Sequence, residues 1–201
     1  MIFIQLFCNI VSKKLRCSIG SVSYRSFIAA AMFSALTAVA GFIRIPLYPV
    51  PVTLQTLFVY LSGSMLGARL GAASQAVFLC LGLIGLPVFA YGGGPGYILQ
   101  PTFGYLLGFP MAAGIIGWWI RTGSKLPQFK TYVYAGLMGM GIIYLTGIFY
   151  LYLNLNYIVG KPISWYHALW SGAVIFVPGE LLKIGCAAAL AERLKKQWHL
   201  R

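Results

Sequence analysis

The run "WYHALWSGAVIFVPGELLKIGCAAAL", residues Trp165–Leu190, decides how this chain folds. It is longer than the roughly 20 apolar residues that one helix needs to cross a bilayer. Pro178-Gly179 interrupts it. Proline breaks a helix interior but suits a first helical turn, where its missing N–H is not needed. The run therefore divides into a partial helix, "WYHALWSGAVIFV", near one surface, and a membrane span that starts at Pro178.

Working outward, five further apolar spans are predicted. They cover about Phe27–Ile43, the stretch from Thr53 to "ARLG", Ala72–Phe89, Phe103–Ile120 and Val133–Leu153. Between the first two lies "RIPLYPVPV", whose three prolines predict a stiff extended loop. After the third comes the glycine-rich "AYGGGPGYILQPT". Composition agrees with a membrane chain. Sixty per cent of the 201 residues are hydrophobic and 8% are charged, whereas a soluble surface needs roughly 25% charged residues. The expected fold is an all-α bundle of about six transmembrane helices over residues 27–201, with residues 1–26 as an interfacial or poorly ordered extension.

The charge balance sets orientation. Fifteen Lys and Arg face two acidic residues, a net charge of +13. With both termini in the cytoplasm, the inner segments hold Lys13, Lys14, Arg16, Arg25, Arg69, Arg121, Lys125, Lys130, Arg193, Lys195, Lys196 and Arg201. Only Arg44 and Lys161 fall outside. This is the positive-inside pattern of a multi-pass protein of the cell (inner) membrane, with the basic residues as lipid headgroup anchors. Nucleic acid is not an expected partner.

Against this background "FVPGELLKIG" (176–185) stands out, because it spends one of two carboxylates inside an apolar run. Glu180 falls in the first turn of the last span, where the helix dipole favours an anion. Lys183 follows three residues on, on the same face. One reading is an ion pair that pins the helix end. The other is a polar ligand site, since ionisable groups within membranes mark substrate pathways. Arg44 could add a second cation or anchor a headgroup. Thr53, Gln55, Thr102 and Tyr105 stand at outer helix starts and could cap those helices or bond a ligand. The glycine loop lacks the GxxxxGK[ST] phosphate cradle. With Glu180, Glu192, His167 and His199 as the candidate ligands, no metal cage or catalytic set is expected, and no enzyme. Small residues at spacing four (Ala31 and Ala35; Gly63, Gly67 and Gly71; Gly104 and Gly108) predict close helix packing. Four cysteines (8, 17, 80, 186) form no CxxC pair.

The segments "PVPVTLQTL" (49–57), "GSMLGARLGA" (63–72), "GLIGLPVFAYGGGPG" (82–96), "PTFGYLLGF" (101–109) and "VPGELLK" (177–183) together resemble the BioY family. Its members are the biotin-binding S components of energy-coupling factor transporters. The resemblance covers about Ala29–Leu190 and implies a six-helix subunit that captures biotin from outside. It implies as partners a transmembrane coupling subunit, which would meet Ala31 and Ala35, and two cytoplasmic ATPase subunits. The "RIPLYPVP" loop would act as a lid. Lys183 would take the biotin carboxylate, and Glu180 would orient Lys183 or accept a ligand N–H. Gln55, Tyr105, Thr102, Gly93, Gly94 and Arg44 would complete the site, with biotin as cargo and no cofactor. The family usually has aspartate where this chain has Glu180. The rival expectations are an S component for another vitamin and a ligand-free membrane assembly subunit.

Overall fold

The structure, a computed structural model, describes residues 24–47, 50–122 and 128–199, without the side chains of residues 25 and 196–199. Cys8, Cys17, Lys125 and most of the extension expected over residues 1–26 lie outside the described residues. Residues 24–26 already belong to the first helix, α1 (Tyr24–Phe42).

The proline segment after α1 closes into a two-stranded antiparallel hairpin, β1 (Arg44–Ile45) with β2 (Val52–Thr53), in which Arg44 stands opposite Thr53. Helix α2 (Gln55–Ile84) follows. It holds both the second and third expected spans, and the chain turns back within it at Gly67, whose φ of 79° and ψ of −179° are open to glycine but not to other residues. In a straight helix Gly63 and Gly71 would lie about 12 Å apart. Here a Cβ on Gly71 would come within 3.0 Å of the Gly63 Cα. The two limbs of α2 therefore run antiparallel in close contact, and Gln75 reaches back to donate to the Ser62 hydroxyl at 3.2 Å. The second limb ends at Ile84, short of the expected Phe89, because Gly85 takes a positive φ of 124°.

A 3₁₀ turn (Pro95–Leu99) leads into α3 (Phe103–Arg121). Helix α4 (Gln128–Leu153) continues as a π-helical turn through Ile158, so it is longer at both ends than the expected span. The run that opened the sequence divides as read. A short helix α5 (Trp165–Gly172), capped by Ser164, gives way to a 3₁₀ turn, and α6 (Val177–His199) carries Pro178 in its first turn.

Among the described residues, four helical stretches are long and apolar enough to cross a membrane: Gln55–Ile84, Phe103–Arg121, Gln128–Ile158 and Trp165–Lys195. Helix α1 is a shorter apolar helix. Glycines let these helices touch, as expected from their spacing. Gly104 and Gly108 of α3 meet Tyr150, Thr146 and Ile143 of α4, and Gly117 sits against the α2 reversal. Phe78 stacks with Phe109 and meets Phe89 edge-on in the core. Ala31 and Ala35 lie on an exposed face of α1. Cys80 and Cys186 are free and exposed.

Candidate functional site

Glu180 lies in the first turn of α6, with Lys183 one turn on. Both are buried, at 4% and 8% exposure, so every polar atom must find a partner. The Lys183 ammonium donates to Glu180 Oε1 at 2.5 Å, to the Thr56 hydroxyl at 3.0 Å and to the Thr53 carbonyl at 2.8 Å. Thr56 in turn donates to Glu180 Oε1 at 3.0 Å, and Tyr60 donates to Oε2 at 2.5 Å. All three ammonium protons are used. The pair ties α6 to β2 and to the start of α2.

Beside it is a cavity of about 570 Å³, its open mouth included. The hairpin contributes Val50, Pro51, Val52 and Thr53 to its wall. Helix α2 supplies Gln55 and Thr56, α3 supplies Tyr105, Leu106 and Phe109 with Thr102 just before it, and α4 supplies Ile143 and Tyr144. Ala90, Tyr97, Phe176 and Glu180 complete it. Apolar walls with a few placed polar groups suit a ligand of mixed character.

The structure places the residues singled out by sequence in different ways. Glu180, Gln55, Thr102 and Tyr105 line the cavity. The Tyr105 hydroxyl, however, is taken up by the Gly172 carbonyl at 2.8 Å, which fastens α5. Thr102 pairs with the Tyr97 hydroxyl at 3.2 Å, and burial pushes the Tyr97 phenol above its ordinary pKa, so it stays neutral. Gln55 accepts from Thr53 at 3.3 Å, and its amide reaches the Val88 carbonyl at 3.5 Å.

Lys183 stands behind Glu180 and Thr56 and is not part of the wall. Gly93 and Gly94 are not part of it either. They pack the loop onto the end of α2, where Gly94 N–H donates to the Gly82 carbonyl at 2.7 Å and Gly93 abuts Leu86. Arg44 is exposed outside the cavity, 5.2 Å from the centre of the Tyr91 ring. Sequence reading missed Thr56, Tyr60, Tyr97 and Tyr144. For two of these a signal existed: in "TLQTLFVY" Thr56 and Tyr60 are four apart, so they share a helix face.

The sequence matches the BioY family over residues 12–199. The chain belongs to the BioY family. A probable biotin transporter BioY of Lysinibacillus sphaericus is 47% identical over 171 residues, 85% of this chain and 87% of that protein. The biotin transporter BioY of Thermotoga maritima is 43% identical, over 86% of this chain and 96% of its own. The fold is similar to the crystal structure of the S-component for biotin from an ECF-type ABC transporter. That likeness has a TM-score of 0.74 at 26% identity, and covers 90% of this chain and 95% of the other. The family membership and the apolar helices make this BioY-family chain a membrane protein.

Proposed function

We propose that this chain is the membrane-embedded subunit that captures biotin for an energy-coupling factor transporter. The observation that carries this is the hydrogen-bonded Glu180 at the wall of a largely apolar cavity, in a chain of the BioY family. Biotin has an apolar thioether ring and tail, a ureido group with two N–H donors and one carbonyl, and a terminal carboxylate. A carboxylate side chain offers about four lone-pair positions. Glu180 uses three of them, on Thr56, Lys183 and Tyr60, which leaves one on Oε2 for a ligand N–H.

The three occupied protons of Lys183 support a role different from that expected of it. It neutralises and aims Glu180 and does not take the ligand's carboxylate. That carboxylate then points to the mouth, where the hairpin carries Arg44. Gln55, Thr102 and the Tyr105 ring shape the wall, and Gly93 and Gly94 shape the loop that supports it.

The membrane reading has six crossings: α1, the two limbs of α2, α3, α4 and α6, with both termini cytoplasmic. The exposed Ala31–Ala35 face of α1 meets a coupling subunit, and two cytoplasmic ATPase subunits supply the energy. The chain itself is no enzyme.

Titration of the detergent-purified protein by calorimetry, with thiamin and riboflavin as controls, tests this reading. The expected result is saturable one-to-one binding of biotin alone. Folded protein that shows no saturable biotin binding overturns it.

A further inference from the structure

Among the described residues, one hydroxyl of the cavity wall has no protein partner. Thr53 donates to Gln55, Thr56 is held between Glu180 and Lys183, Thr102 pairs with Tyr97, and Tyr105 is fastened to Gly172. Tyr144 of α4 also lines the cavity. Among the described residues its hydroxyl has no hydrogen-bond partner. Its ring is held edge-on by Tyr105, with centroids 5.9 Å apart and planes at 87°. It shares the cavity wall with the Glu180 carboxylate. The ring is thus positioned by packing, and its O–H is left over.

A ligand that brings an acceptor can pair with this hydroxyl. The cavity therefore offers a free acceptor position on Glu180 Oε2 and, on Tyr144, a hydroxyl that no described residue engages. We propose that Tyr144 is a specificity residue that donates its hydroxyl to the carbonyl oxygen of the ligand's urea, beside the N–H accepted by Glu180. A donor and an acceptor used together select a urea or amide edge over an apolar ring of the same shape. This inference rests on the biotin reading above and adds to it the residue that reads the ureido oxygen.

Calorimetric titration of wild type and Tyr144→Phe with biotin and with its thio analogue, where sulfur replaces the ureido oxygen, tests it. Sulfur is the weaker acceptor, while shape and N–H donors are kept. Tyr144→Phe is expected to weaken biotin binding about tenfold, and the thio analogue by no more than about threefold. The thermal midpoint should be unchanged, because the ring packing is retained. Equal biotin affinity for the two proteins, or an equal loss for both ligands, overturns the role of Tyr144 and leaves the capture reading intact. Wild type that binds neither ligand overturns both.

Discussion

Lys183→Met should abolish measurable biotin binding and lower the thermal midpoint sharply. Removing one partner of a buried ion pair costs about 3–5 kcal/mol, because the remaining charge is left uncompensated. Here that charge is Glu180, at 4% exposure, and the change also strips partners from the Thr56 hydroxyl and the Thr53 carbonyl. The ligand's own carboxylate would then enter a cavity whose wall carries a bare negative charge. Pairing the change with Glu180→Gln separates the two effects. The neutral amide still accepts from Tyr60 and can donate to the Thr56 oxygen, so most of the stability should return. Binding should stay weak, because a charged acceptor for the ligand N–H is gone. Thermal unfolding in detergent with parallel titrations checks this. A single variant as stable as wild type would refute the ion pair as the anchor.

Gly63→Leu is expected to give no monodisperse protein at all. Gly63 sits where three segments converge. A Cβ there would meet the Ala113 carbonyl at 2.6 Å and Ile116 at 2.9 Å, and Gly71 packs on its other side. Overpacking a tight core costs about 1–3 kcal/mol and sometimes more. Leucine would wedge open the α2 limbs and the α2–α3 contact together. Gly141→Leu is the control, since nothing lies within 4 Å of a Cβ there and the residue is exposed. Size-exclusion profiles of the two variants decide the matter. A symmetric peak for Gly63→Leu would mean that the limbs need no close approach.

The sequence announced some of this and hid the rest, for physical reasons. Pro178 could only stand at a helix start, so the first-turn place of Glu180 and its pairing with Lys183 were legible before any coordinates. The spacing of Gly63, Gly67 and Gly71 announced close packing. It did not reveal that Gly67 itself is the turning point, because a positive φ leaves no mark in an apolar run. The proline loop was readable as stiff and extended, but its pairing into a hairpin depends on contacts between Arg44 and Thr53 that no local pattern encodes. The direction of a side chain was the least legible quantity. Tyr105 and Tyr144 are both tyrosines on apolar helices, yet one hydroxyl is taken by a backbone carbonyl and the other has no partner among the described residues. Lys183 was readable as important, but its burial behind the carboxylate follows from Thr53 and Thr56, which lie far away in sequence.

The hydrogen bond from Lys183 to the Thr53 carbonyl has a thermodynamic consequence. Thr53 ends the hairpin, whose residues 50–53 line the cavity, and the same ammonium holds the Glu180 carboxylate in the wall. Displacing the hairpin and disturbing the charge pair are therefore not independent events, since each alters the free energy of the other by the same amount. A ligand that steadies Glu180 therefore also steadies the strand that walls its cavity. The cavity's carboxylate and the end of its hairpin wall are thus held together through a single nitrogen atom.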